Sequence, residues 1–332
     1  MSDSADRVLE VARVAGRRAA AVCRAVLAES ADAPGAMAKG DNSPVTVADY
    51  GSQAVILDAV RAAFPAHGII AEEGSAHLRM SAGEAGVVQI VRLVGQSLGR
   101  ALDFSAVCGM IDHSGGGVNA EFAWCVDPID GTKGFLRREQ YAVAIGVLRA
   151  GRPWAGVLAC PNLPVDFARP DGPRGLMFVA AQGRGCTVEA LDAGAARPTR
   201  VTRFADPRQW RVLGSVESAH GDPQLLHDVI ARAGVGGGFV RYDSQVKYGV
   251  VAMGAAEIYL RPRNKPAYRE QVWDHAAGVI VCEEAGGCVS DMDGKLLDFS
   301  RGKRLEDNRG VLATSGGAVH EAMLRALAAL SQ

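Results

Sequence analysis

The 332-residue sequence has no excess of charge of either sign: 36 lysines and arginines face 37 aspartates and glutamates, a formal net charge of −1. That balance excludes a global basic field for nucleic acid and gives no attraction to an anionic membrane surface, so any phosphate-bearing ligand must be met by local cations. No run of about 18 apolar residues occurs, which excludes a membrane-spanning helix on sequence grounds. The start, Met1-Ser2-Asp3, lacks the charged-then-apolar pattern of a secretory signal, and the expectation is a soluble, cytoplasmic protein. The seven cysteines (23, 108, 125, 160, 186, 282 and 288) are odd in number, scattered and without a C-x-x-C pair. They argue against a disulfide framework or zinc site and read as reduced thiols, mostly small core residues. There is no Walker sequence, and Gly234-Val235-Gly236-Gly237-Gly238 follows a helical pattern rather than a strand, so it fails the context of a dinucleotide fingerprint.

What is present is enough apolar content, 48%, to bury a core larger than one domain usually holds. Two domains are expected, residues 1–195 and 196–332, divided by the small, polar stretch 192–198. The first half opens with an amphipathic helix over about 5–29, its arginines 13, 17, 18 and 24 reading as a solvated face. A second helix begins near Thr46, a short strand runs over 67–71, and a hairpin and further strands cover 141–191. From His77 to Gly117 a helix is suggested around Val87 to Val94, and no chemistry is read there. The second half alternates strand and helix, an α/β pattern: strands over 211–216, 238–242 and 257–261, helices over 223–233 and 246–252. A helix opened by Trp273-Asp274-His275 follows, then strands over 288–292, 295–299 and 310–314, and a final helix over 318–330. His275 and His320 read as core or capping histidines.

The chain is organised around Cys125-Val126-Asp127-Pro128-Ile129-Asp130-Gly131-Thr132-Lys133-Gly134. An apolar strand ends there in two carboxylates, and Pro128 fixes its own φ and holds Asp127 extended. Asp127 and Asp130 can converge with the Ile129 carbonyl on a hard cation, while Gly131 and Gly134 let backbone N–H groups approach a phosphate. The bland alternative is an Asp-Pro turn. Glu72 and Glu73 stand at the end of a strand, and Asp49 lies three residues past Thr46, where it also fits a variant capping box. Asp274 falls near the first turn of its helix. Asp49, Glu72, Asp127, Asp130 and Asp274 thus reach element ends from separate places with no histidine or cysteine cluster. Oxygen-only ligation selects Mg²⁺ or Mn²⁺. Two or three such ions, some ~4 Å apart, could clamp a phosphate ester and activate a water.

These residues carry a resemblance. Asp127-Pro128-Ile129-Asp130-Gly131-Thr132, with Glu72-Glu73 upstream and Trp273-Asp274 ahead of Glu284-Ala285-Gly286-Gly287, resembles the inositol monophosphatase superfamily of Mg²⁺-dependent, lithium-sensitive phosphatases. Ser43-Pro44-Val45-Thr46-Val47-Ala48-Asp49-Tyr50, Asp243-Ser244-Gln245, Lys247-Tyr248-Gly249 and Tyr268-Arg269-Glu270 resemble its 3′(2′),5′-bisphosphate nucleotidase branch. The resemblance covers nearly the whole chain and implies an α/β/α/β/α layered sandwich, with adenosine 3′,5′-bisphosphate as substrate and AMP and phosphate as products. It implies metal ligation by Glu72, Asp127, the Ile129 carbonyl, Asp130 and Asp274, and activation of the water by Asp49 with Thr132. It implies phosphate binding by the amides from Gly131 through Lys133 to Gly134, and nucleotide contacts from His220, Ser244, Lys247 and Arg261. An inositol phosphate phosphatase and a non-catalytic nucleotide sensor are the rival expectations. A homodimer is compatible with the sequence.

Overall fold

The structure is a computed structural model that describes residues 4–29, 37–38, 44–112, 117, 120–192, 194–216, 223–263 and 267–330. In chain order it contains α1 (Ala5–Glu29), β1 (Met37–Ala38), β2 (Pro44–Val45), α2 (Val47–Ala63), β3 (Gly68–Ala71), α3 (Ser75–Ser81), α4 (Glu84–Leu98) and α5 (Phe104–Ile111). Then come β4 (Phe122–Asp130), α6 (Thr132–Leu136), β5 (Ala142–Arg149), β6 (Arg152–Pro164), β7 (Arg174–Ala181), β8 (Cys186–Ala190) and β9 (Arg197–Thr199). The remainder is β10 (Val212–Gly214), α7 (Pro223–Arg232), β11 (Phe239–Arg241), α8 (Val246–Ala252), β12 (Ile258–Arg261), α9 (Ala276–Glu284), β13 (Cys288–Ser290), β14 (Val311–Thr314) and α10 (Gly317–Leu330).

β3 through β9 form a seven-stranded sheet in sequential order, parallel only between β3 and β4. The second sheet has the order β11-β10-β12-β14-β13, with β14 antiparallel to both β12 and β13. Helices α1 and α2 cover one face of the first sheet, α8 and α9 lie between the sheets, and α7 and α10 close the far face of the second. This is the α/β/α/β/α layering expected. β4 shows how its sequence serves two layers. Trp124 and Val126 point into the core under α1 and α2, while Ala123 and Cys125 point into the core around α9. A strand buried on both faces reads as a continuous apolar run. Cys125, Cys160, Cys186 and Cys282 fill the same inter-sheet core as small apolar residues, and all seven cysteines are free thiols.

Three expectations are corrected. The arginines of α1 are not simply solvated: Arg13 and Arg17 pair with Glu189 of β8 at 3.5 and 3.1 Å, and Arg24 pairs with Asp192, tying the helix to β8 and the residues just after it. Residues 295–299 form no strand, because the Asp291 carboxylate accepts the N–H groups of Asp293 and Lys295, each at 2.9 Å, and the Asn308 side chain accepts that of Asp298. Side chains satisfy there what a ladder would have satisfied. Trp273 and Asp274 precede the late helix rather than opening it. They lie in a single 3₁₀ turn, Val272–Asp274, and α9 starts at Ala276. Among the described residues no helix is long and apolar enough to cross a membrane.

The approach of α9 to the first sheet is set by two glycines that pair directly across β5 and β6, Gly146 and Gly156. A Cβ on Gly146 would fall 2.7 Å from Ala276 Cβ, and one on Gly156 would fall 2.6 Å from Ile280 Cγ2. Side chains here would lift the helix and the Asp274 turn ahead of it. Gly146→Ala is therefore expected to cost about 1–3 kcal/mol, the usual penalty of overpacking. A urea melt checks this; an unchanged midpoint would mean that the inter-sheet layer has slack.

Candidate functional site

Because β3 runs parallel to β4, their C-terminal ends come out side by side, and the Glu72 N–H donates to the Val126 carbonyl at 3.2 Å. Glu72 therefore stands next to Asp127. The pairing of β4 with β5 is regular up to Asp127 and then shifts register before Asp130, since Pro128 has no N–H to give the ladder. In the bulge the Ile129 N–H turns back to Asp127 Oδ1 at 3.1 Å. Gly131 follows in the left-handed region, at φ 93°, and starts α6. A Cβ on Gly131 would meet Ser244 Cβ at 3.0 Å, and one on Gly134 would lie 2.2 Å from the Gln140 carbonyl. Both glycines are required by close approach. Gly131, Thr132, Lys133 and Gly134, at the start of α6, all line the cleft.

Asp49 sits behind this turn, buried, and does two things at once. Its Oδ2 accepts from the Thr46 N–H at 2.8 Å and from Thr46 Oγ1 at 2.7 Å, completing a capping box at the start of α2. Its other oxygen, Oδ1, accepts from Thr132 Oγ1 at 3.4 Å. The capping account is realised, and the same carboxylate also reaches Thr132. One turn further along α2 is Gln53, on the same face. Its amide donates to the carbonyls of Glu73 and Ile111, at 2.7 and 3.1 Å, and accepts the Glu73 N–H at 2.9 Å, so it clamps the backbone that carries Glu72. Nothing in the sequence marked Gln53 except its spacing from Asp49.

The other wall comes from the second sheet. Ser244 has φ 65°, a conformation that costs a non-glycine residue energy, and it turns the next N–H, of Gln245, onto Asp130 Oδ2 at 2.7 Å. Asp243 is buried and accepts from Arg137 Nη2 at 2.7 Å and the Val216 N–H at 3.0 Å, fastening α6 to the second half. Lys247 is 3% exposed; its Nζ donates to the Tyr242 carbonyl at 3.2 Å and lies 5.1 Å from the Tyr259 ring centroid. Arg261 is engaged within the protein, with Nη2 2.9 Å from Glu270 Oε2 and 3.6 Å from Asp274 Oδ2. His275 is a core histidine, fully buried between the Tyr248 hydroxyl at 2.8 Å and Glu270 at 3.3 Å.

These walls enclose a cleft of about 250 Å³ lined by Glu72, Asp127, Ile129, Asp130, Gly131, Thr132, Lys133, Gly134, Ser244, Lys247, Arg261 and Asp274, together with Ser215, Asp243 and Tyr268. Every sequence candidate but two lines it. Asp49 reaches it through Thr132, and His220 lies outside the described residues. Burial raises the carboxyl of Asp127 well above its usual range, and the neighbouring charges of Glu72, Asp130 and Asp274 add to the rise. Burial raises Asp130 as well, with Lys247 and Arg261 opposing. Asp274 is raised by burial against the pull of Arg261. Burial brings the Lys247 ammonium down to about 8. Carboxylates so placed, in an all-oxygen donor set with a backbone carbonyl, fit a hard divalent cation, which would relieve their mutual repulsion. Glu270, Asp274 and His275 also bring ligand atoms within 4.8 Å of one another. Of that trio, Asp274 is the member that lines the cleft.

Residues 4–332 match a model described as the inositol monophosphatase family, whose members are metal-dependent. A 3′(2′),5′-bisphosphate nucleotidase of Schizosaccharomyces pombe is 35% identical over 348 residues, covering 100% of this chain and 97% of that protein. One of Oryza sativa is 40% identical over 324 residues, covering 92% and 90%. Among solved structures, an inositol monophosphatase from Anabaena (Nostoc) sp. PCC 7120 superposes with a TM-score of 0.64 at 24% identity, covering 97% of this chain and 95% of that one. An IMPase of Thermotoga maritima gives 0.63 at 18% identity, covering 98% and 97%. At these identities the structural likeness shows the fold.

The crowded carboxylates set a pH dependence. Their folded pKa values lie above the ordinary 3.8, so the folded state holds protons that the unfolded chain has released. Stability from that source is complete below about pH 4 and is lost as pH rises toward the raised values. In the presence of a chelator, the melting temperature should therefore fall from about pH 5 to 8, and a divalent cation should flatten the slope. A chelated protein that grows steadily more stable over this range would contradict the clustering.

Proposed function

Because the chain belongs to the inositol monophosphatase family, we infer that it is a 3′(2′),5′-bisphosphate nucleotidase, a phosphatase that removes the 3′-phosphate of adenosine 3′,5′-bisphosphate to give AMP and phosphate. The observation that carries the substrate is the buried Lys247 beside an acidic cleft. The metal cluster answers one phosphate, and a substrate with two needs a further cation. Lys247 supplies it, charged at neutral pH and made less basic by burial. Arg261, held by Glu270 and Asp274, mainly orders that wall of the cleft. In this reading the cleft lies between two domains, 1–195 with most of the acids and 196–332 with Asp274 and the nucleotide-contacting residues.

Glu72, Asp127, the Ile129 carbonyl, Asp130 and Asp274 would hold Mg²⁺, which when bound polarises phosphoryl oxygens and lowers the pKa of water. Thr132 Oγ1 can hand its proton to Asp49 Oδ1 while accepting one from the attacking water, and the capping bonds from Thr46 keep Asp49 oriented for it. The N–H groups at the start of α6, between Gly131 and Gly134, would receive the phosphate oxygens, and the exposed Lys133 side chain lines the same mouth. Ser244 lies where the nucleotide would pass.

Asp127→Asn removes a charge from the centre of the cluster and should abolish Mg²⁺-dependent turnover of adenosine 3′,5′-bisphosphate. Wild-type rates from that variant in EDTA would end the metal reading. Lys247→Met keeps the volume and loses the charge. A charge-assisted hydrogen bond contributes roughly 1.5–3 kcal/mol, so kcat/KM for the bisphosphate should fall about ten- to a hundredfold. A 3′-monophosphate lacking the 5′ group should lose far less; an equal loss on both substrates would remove Lys247 from the second phosphate.

A further inference from the structure

Gln245 is 1% exposed, and its backbone N–H and both ends of its side-chain amide join elements that carry different members of the acidic cluster. Its backbone N–H donates to Asp130 Oδ2 at 2.7 Å. Its side-chain Nε2 donates to the Trp273 carbonyl at 2.9 Å, one residue before Asp274. Its Oε1 accepts the Gly278 N–H at 3.0 Å, in the first turn of α9. The orientation of the amide is unambiguous, since a carbonyl can only accept and an N–H can only donate. Position 275, the residue at the N-cap of α9, makes no capping bond of its own. Gln245 therefore caps α9 from outside and holds the turn that presents Asp274, while its own main chain holds Asp130.

We propose that Gln245 is a positioning residue that sets the separation of the Asp130 and Asp274 carboxylates and thereby the affinity of the cleft for its divalent cation. One acid ends β4 and the other ends the 3₁₀ turn ahead of α9, more than a hundred residues away in the chain, and they repel one another. Left to Coulomb forces they would spread. A single buried residue whose main chain bonds Asp130 and whose side chain bonds the turn and helix beside Asp274 resists that spreading. Gly278 adds to the fit: a Cβ there would fall 2.1 Å from the Tyr248 ring, so α9 is pressed against α8 at the level of the Gln245 amide.

The inference rests on the metal reading above and can be separated from it. The measurement is the Mg²⁺ concentration at the midpoint of the rise in melting temperature, starting from chelator-treated protein, with Mg²⁺ the only ligand added. If wild-type protein shows no Mg²⁺-dependent rise, the metal reading fails. If it does, Gln245→Met, of similar length but without the amide, should raise the midpoint about ten- to a hundredfold, the usual consequence of losing a partner that orients a ligand. Its KM for adenosine 3′,5′-bisphosphate at saturating Mg²⁺ should stay within about twofold of wild type. Gln245→Asn keeps the amide but is one methylene short of reaching both partners, so it should shift the midpoint the same way; it serves if the methionine variant does not fold. Met323→Ala, in the distant core beneath α10, calibrates a merely structural loss: lower stability without metal, unchanged midpoint. A folded Gln245 variant that behaves like Met323→Ala would overturn the proposal.

Discussion

Like charge confined in a cleft is the constraint on which the rest of this structure depends. Asp127, Asp130 and Asp274 are all pushed toward their protonated forms by burial, Lys247 and Arg261 opposing this at Asp130, and Glu72 adds to the repulsion on Asp127 and Asp274. Such an arrangement is unfavourable by itself, and a folded chain keeps it only where the surroundings over-determine it. The surroundings here are specific. The backbone N–H groups of Ile129 and Gln245 donate to two of the carboxylates, Gln53 clamps the strand end behind Glu72, and Arg261 stands against Asp274.

The packing layers meet the same demand from further away. Two paired glycines admit α9 almost onto the backbone of the first sheet, so a turn belonging to the second half arrives beside β4. Arg137 with Asp243 closes the opposite side by joining α6 to the chain ahead of α8. Both contacts are short-range and steric or hydrogen-bonded, and they hold whether or not a cation relieves the charge.

The buried Lys247 and the half-buried Arg261 divide their work by chemistry. Arginine offers a planar fork that can bridge two carboxylates, and Arg261 does so with Glu270 and Asp274. Lysine is a point charge whose pKa moves readily on burial, and Lys247 is lowered accordingly, its ammonium donating to a backbone carbonyl and lying against an aromatic face, with the Asp130 charge drawing it. A ligand oxygen placed in the cleft would find the second more available than the first.

Much of this was legible from residue order. The apolar run ending in Asp127-Pro128-Ile129-Asp130-Gly131 announces a strand that must break, because proline cannot continue the ladder and glycine can take the left-handed turn. The bulge and α6 are the result. Helices α2 and α8 follow from local pattern, and oxygen-only ligands follow from the lack of a histidine or cysteine cluster. These are properties of neighbours in the chain. What tertiary structure alone decided are relations between distant segments: that Arg261 meets Glu270, that Gln53 grips Glu73, that Gln245 bridges Asp130 to the Trp273 turn, and that residues 295–299 bond to Asp291 and Asn308 instead of forming a strand. A polar side chain reads the same in sequence whether it faces water or a buried carbonyl, and only the packing that removes the water determines which partner it must find.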